Sequence, residues 1–158
     1  RSAGTPGLGS TTTLVLPASA APAASVPPPT DAARGGPGAV LAGTTVLLVE
    51  DNAALAEVTA LVLQTHGCSV RHAGGVDDAL AQLRTDTRLQ LVLTDVVMPG
   101  ERNGVDLAQE LARTRPALPV VLISGDSAAL AGLTGFHLLR KPVAADDLVR
   151  TLAAALRA

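Results

Sequence analysis

The sequence predicts an α/β domain, a doubly wound five-stranded parallel sheet, over residues 44–158. Three observations predict it. Five short aliphatic runs recur along this stretch, and segments with apolar residues at helical spacing separate them. The runs are mainly apolar rather than strictly alternating, the pattern of strands buried on both faces beneath helical crossovers. Aromatic residues are nearly absent, with Phe136 the only one, so aliphatic side chains and alanine must fill the core; at 47% apolar residues the chain has enough of them.

The elements follow in order. TTVLLVE (44–50) reads as the first strand. Asn52 can cap a helix whose apolar residues Leu55, Val58, Leu61 and Val62 fall at helical spacing, and Gly67 after His66 takes the usual closing place. CSVRH (68–72) reads as a second buried strand with Cys68 a small core residue; one cysteine excludes an internal disulfide framework. The next helix runs from Val76 to Arg84, with Asp77 and Asp78 at its positive end. LQLVLTD (89–95) is the third strand, and Gly104 to Arg115 a helix carrying Val105, Leu107, Ala108 and Leu111. ALPVVLIS (117–124) is the fourth strand, followed by a short helix over Ser127–Leu133. FHLLRK (136–141) is the fifth, and the closing helix runs from Ala145 to Leu156 with Leu148, Leu152 and Leu156 on one stripe.

Upstream the texture differs. Residues 18–43 are rich in Ala, Pro and Gly with few large apolar residues, the composition of a flexible linker. Before it, the β-branched run Thr11–Leu16 reads as a strand with no partner in the chain. The chain begins at Arg1 without an initiator Met, so it is expected to be a piece of a longer protein. Net charge is −2, and the 12 basic residues, all Arg except Lys141, are scattered; direct binding of nucleic acid is not expected. There is no apolar run of transmembrane length, so this piece is expected in the cytoplasm without membrane contact.

In an open doubly wound sheet, ligands bind at the carboxyl ends of the strands near the switch in strand order. To that edge the first strand delivers Glu50 and Asp51, the third Asp95, the fourth Ser124 and the fifth Lys141, while the second delivers nothing of chemical note. Three converging carboxylates repel unless a cation intervenes, and an all-oxygen set without His or Cys suits Mg2+. Lys141 adds a point charge for anionic oxygens and Ser124 a hydrogen-bond donor. Metal, cation and oriented donors are what stabilise a transferring phosphoryl group. A carboxylate is ionised at neutral pH and needs no general base, so Asp95 is read as a nucleophile toward phosphorus.

VLLVEDN (46–52), LVLTDVVMPG (91–100), VVLISGD (120–126) and RKP (140–142), in this order, resemble the receiver domain of two-component response regulators over about Thr45–Ala158. The resemblance implies the flavodoxin-like (βα)5 fold. It implies Asp95 as phosphoacceptor and metal ligand, Asp51 as a direct Mg2+ ligand, and Glu50 acting mainly through water. It also implies the backbone carbonyl of Val97 as a further ligand, Ser124 as a switch hydroxyl, Lys141 as the phosphate-pairing lysine, and a cis bond before Pro142. The implied function is phosphorelay signal transduction in a bacterial two-component system: the domain catalyses its own phosphorylation from a phosphohistidine, borne by a histidine kinase or histidine phosphotransfer domain, and its own dephosphorylation.

Three departures qualify the resemblance. Leu138 stands three residues before Lys141, where the family has an aromatic, and Phe136 stands five before. Only 17 positions separate Ser124 from Lys141 (141 − 124), so the intervening helix is expected to be short or irregular. The loop PGERNG (99–104) is one residue longer than the commonest form, a variant resembling receivers attached to sensor kinases. Further upstream, GLGSTTTLVLP (7–17) resembles the closing strand of the histidine-kinase ATP-binding domain. It implies a hybrid sensor histidine kinase, itself free to be membrane-attached, in which residues 1–17 end the ATP-binding domain, 18–43 form a linker and 44–158 the receiver.

Other readings of the same residues differ in what they require. A phosphorylation-independent protein-interaction module of this fold would show a broken acidic site, and this one is complete. A haloacid-dehalogenase-like phosphatase needs a second aspartate two residues after the first, where Val97 stands. A flavin carrier needs aromatic rings to stack on the flavin. His66, His72 and His137 are scattered and without ligand spacing, and Met98 and Pro99 are read as shaping their loop.

Overall fold

A computed structural model of the chain describes residues 37–126 and 133–158. In chain order the elements are α1 (Pro37–Leu41), β1 (Thr45–Val49), α2 (Ala53–Thr65), β2 (Ser69–Ala73) and α3 (Val76–Thr85). Then come β3 (Leu91–Asp95), α4 (Gly104–Thr114), β4 (Val120–Ser124), β5 (His137–Arg140) and α5 (Ala145–Ala155). The strand at Thr11–Leu16, the linker up to residue 36 and the helix expected over Ser127–Leu133, Leu133 excepted, lie outside the described residues.

All five strands are parallel and lie in the order β2-β1-β3-β4-β5. Successive strand residues alternate faces. Val46, Leu48, Leu91, Leu93, Val121 and Ile123 therefore pack into one apolar cluster with α2 and α5. Leu47, Val49, Val92 and Leu122 pack into a second cluster with α3 and α4. The three central strands are buried along nearly their whole length, as their unbroken aliphatic runs require.

The edges depart from the sequence reading. β2 is an edge strand, with Ser69, Arg71 and His72 exposed rather than buried; only one neighbour pairs with it, and solvent reaches the other side. On α2 the buried residues are Ala56 and Leu63, while Leu55, Val58 and Leu61 are 38%, 61% and 62% exposed. This helix is apolar on most sides, so spacing alone does not say which stripe faces the core.

The end of the expected linker is also ordered. Pro37 opens α1, where its missing N–H costs nothing, and Leu41 closes it fully buried against α5. The turn behind it is tied to the α2–β2 turn: the Gly43 N–H donates to the Gly67 carbonyl at 2.8 Å, and Gly67 sits at φ 81°, a left-handed conformation that favours glycine. Replacing Leu41 by Ala should cost about 2–5 kcal/mol in urea unfolding, the range for a fully buried leucine. Leu61→Ala on the exposed stripe should change stability by less than about 0.5 kcal/mol.

Candidate functional site

Strand register builds the site. β1 and β3 pair Val49 with Thr94, so the next residues, Glu50 and Asp95, emerge side by side where the strand order switches. Both are buried, at 6% and 7% exposure, and Asp51 follows in an exposed bend. One carboxylate oxygen from each of Glu50, Asp51 and Asp95 lies within 4.8 Å of the other two. From the far side, β4 and β5 pair Ser124 with Arg140, and the Lys141 N–H donates to the Ser124 carbonyl at 2.8 Å. The Lys141–Pro142 bond is cis.

The Lys141 ammonium donates to Asp95 Oδ2 at 2.5 Å and to Glu50 Oε2 at 3.4 Å. Partial burial pulls the lysine pKa down; the hydrogen bond and charge of Asp95, with those of Glu50, outweigh it and hold Lys141 above its ordinary value. One ammonium thus bridges two buried carboxyl groups.

Backbone groups fix the two carboxylates. Asp95 Oδ1 accepts from the Val97 N–H at 3.1 Å, and the Val96 N–H donates to the Ile123 carbonyl at 2.8 Å. The Glu50 N–H donates to the Ala73 carbonyl at 3.1 Å, and Glu50 Oε1 accepts from the Asn52 N–H at 3.2 Å. The Glu50 carbonyl accepts from His72 Nε2 at 2.8 Å. The second strand therefore does supply something: a ring N–H that braces the acidic edge, which a lone histidine in a strand gives no sequence signal for. Behind the loop, Asn103 and Asp106 form a reciprocal capping box that starts α4, and Arg102 pairs with Glu110 and with Asp77 at 3.6 Å.

Glu50, Asp51, Asp95 and Lys141 are thus brought together as the sequence predicts. Ser124 is fully buried at the same edge, but its hydroxyl is turned to the next turn: it accepts from the Asp126 N–H at 3.1 Å and donates to the Asp126 carbonyl at 3.2 Å. Val97 takes part through its backbone, and its side chain is exposed. Beside the carboxylates a groove of about 550 Å3 opens between α2 and α5, lined by Leu55, Val58, Val62 and Leu148 below Glu50, Asp95 and Lys141.

The donor set fits a hard divalent cation, being three carboxylates and no sulfur or nitrogen. The model of the response regulator receiver domain family matches residues 46–153. This chain belongs to that family. Among relatives of the receiver, the probable transcriptional regulatory protein TcrX of Mycobacterium tuberculosis is 35% identical over 118 residues, covering 72% of this chain and 50% of that protein. The DNA-binding response regulator MtrA of Mycobacterium leprae is 31% identical over 117 residues, covering 71% of this chain and 51% of that protein. The chain therefore spans about half the length of these curated relatives. Among solved structures, a response regulator receiver protein from Pseudomonas putida superposes with a TM-score of 0.63 at 29% identity, covering 72% of this chain and 98% of that one. A receiver domain protein from Clostridium thermocellum gives 0.64 at 26%, covering 72% and 94%.

Two outcomes follow from the packing of the receiver site. A Cβ on Gly104 would overlap the Asp95 carbonyl oxygen and lie 2.8 Å from its carbon, so Gly104→Ala must push β3 or α4. It should cost about 1–3 kcal/mol in urea unfolding, as overpacked sites do. Second, a pKa raised in the folded state means stability that is fully present below the ordinary lysine value near 10.5 and is lost as pH rises past the folded-state value. The stability difference between the wild type and Lys141→Met should stay flat from about pH 7 to 9 and change only above about pH 10.5.

Proposed function

We propose that this receiver takes a phosphoryl group from a phosphohistidine onto Asp95, with Mg2+ held by Glu50, Asp51, Asp95 and the Val97 carbonyl, Glu50 acting mainly through water. The observation that carries the reading is the buried Asp95, which shares the Lys141 ammonium with Glu50 and meets Asp51 within 4.8 Å. A carboxylate oxygen of Asp95 attacks phosphorus, the P–N bond to the imidazole breaks with its electron pair going to nitrogen, and the released ring takes a proton. The Val97 N–H on Oδ1 orients the carboxylate, and Lys141 passes from carboxylate to phosphoryl oxygen as negative charge moves outward. Bound Mg2+ supplies charge neutralisation for the acidic cluster and the phosphoryl oxygens. Ser124 serves as the switch hydroxyl, giving up its two bonds to the Asp126 backbone to reach the phosphoryl group.

The donor is a histidine kinase or histidine phosphotransfer domain. The exposed Leu55 and Val58, which line the groove beside the site, support a protein partner rather than a small metabolite. A cytoplasmic location accords with these partners, and no helix among the described residues is long and apolar enough to cross a membrane. The upstream stretch GLGSTTTLVLP (7–17) and the long PGERNG loop support a hybrid sensor histidine kinase as the parent, with the receiver after its kinase domain. The relatives named as transcriptional and DNA-binding regulators favour a second reading, a regulator whose other part contacts DNA. The coding sequence on either side of these 158 residues decides between the two parents.

Incubation with acetyl phosphate and Mg2+ should add the mass of one phosphoryl group, and Asp95→Asn or removal of Mg2+ with EDTA should abolish the gain. Labelling that survives in Asp95→Asn would sink the assignment. A wild-type chain that takes no label from acetyl phosphate or from a phosphorylated histidine domain is instead a phosphorylation-independent interaction module.

A further inference from the structure

The residue before the phosphoacceptor carries a hydroxyl where the packing asks for none. Thr94 is fully buried and sits on the strand face that also carries Val92, toward the apolar cluster under α3 and α4. The residues around it on that face, Val49, Val92, Val120 and Leu122, are all Val or Leu, and the other buried hydroxyl there, that of Ser124, stands at the end of β4. Valine has the same branched shape, so volume alone does not select threonine. Its hydroxyl would be costly there without an acceptor. It has one: Thr94 Oγ1 donates to the Asp95 carbonyl at 3.0 Å.

The same carbonyl is hemmed in from the other side. Gly104 lies so close that a Cβ there would overlap the Asp95 oxygen and come within 3.0 Å of Thr94 Oγ1. The Gly104 N–H donates to the next carbonyl, that of Val96, at 3.2 Å. Three groups thus close on two consecutive peptides: a hydroxyl, a bare glycine and an amide. Immediately beyond them the Val97 N–H grips Oδ1, which leaves Oδ2 directed at Lys141.

We propose that Thr94 is a positioning residue for Asp95: its buried hydroxyl, closed against Gly104, holds the peptide from which the phosphoacceptor carboxylate is aimed. The inference rests on the reading of Asp95 as phosphoacceptor. Thr94 touches neither phosphoryl group nor cation and acts through the Asp95 and Val97 backbone. Misplacement of a reacting atom by a fraction of an ångström is enough to slow the attack while leaving the fold intact.

The test compares wild type, Thr94→Val, Thr94→Ser and the remote core variant Leu41→Ala, all as the full chain. Two quantities are measured: the rate of labelling by acetyl phosphate with saturating Mg2+, and amide hydrogen exchange of the metal-free protein. Thr94→Val should label about 10-fold more slowly and Thr94→Ser within about threefold of wild type, because serine keeps the donor. Leu41→Ala should label at the wild-type rate although it is less stable. In the metal-free protein, Thr94→Val should speed exchange at the Val97 and Gly104 amides beyond the change seen across β1. The proposal is overturned if Thr94→Val labels like wild type, if Thr94→Ser fails to restore the rate, or if Leu41→Ala slows labelling equally. If the wild type takes label neither from acetyl phosphate nor from a phosphorylated histidine domain, the proposed function falls, and exchange at Val97 and Gly104 still decides for or against Thr94.

Discussion

The site depends on one ammonium placed between two buried carboxylates. Glu50 and Asp95 emerge from adjacent central strands, where a lone charge would be costly, and Lys141 reaches both. The arrangement requires β1, β3 and β5 to end level at one edge, so sheet register and electrostatics have to agree. It also leaves the anionic charge incompletely balanced, since Asp51 adds a third carboxylate within 4.8 Å. Three carboxylate oxygens this close together could hold a divalent cation.

The scaffold holds this cluster mainly through its backbone. Asp95 is gripped by the Val97 amide and Glu50 by the Asn52 amide, each two residues onward, so each carboxylate folds back on the loop that its own strand feeds. Side chains enter as braces at the carbonyls: His72 on that of Glu50 and Thr94 on that of Asp95. Gly104 lets α4 start in contact with the end of β3, and the capping box at Asn103 and Asp106 fixes where that helix begins. Such fixing of the carboxylate is what the proposed in-line attack of Asp95 on phosphorus requires.

Ser124 stands apart from the charged cluster. Its position at the end of β4 is the expected one, yet its hydroxyl is committed to the Asp126 backbone. Under the proposed function Ser124 gives up these two bonds before it meets a phosphoryl group. Leu138, exposed on β5, supplies no ring that could move with it. Phe136, the only aromatic residue, packs against the cluster under α3 and α4 instead.

The order along the chain of the five strands and of α2, α3, α4 and α5, the membership of the central core and the convergence of Glu50, Asp51, Asp95 and Lys141 were legible in the sequence. Unbroken aliphatic runs mark buried parallel strands, and a right-handed doubly wound sheet sends all their carboxyl ends to one edge. Such patterns are local, and they need only the chain's own periodicity. What the tertiary structure alone decided were the choices that depend on a neighbour distant in sequence. The outer strand β2 reads as buried by its place in the series of strand–helix alternations, but its place at the sheet edge exposes it. Helix α2 has apolar residues on several sides, and only packing against the sheet selects Ala56 and Leu63 over Leu55, Val58 and Leu61. Pro37–Leu41 looks like linker until α5 lies beside it to bury Leu41. His72 and Thr94 look unremarkable until the carbonyls of Glu50 and Asp95 come within hydrogen-bond reach. Burial and hydrogen bonding are properties of pairs of surfaces, and a sequence shows only one member of each pair at a time.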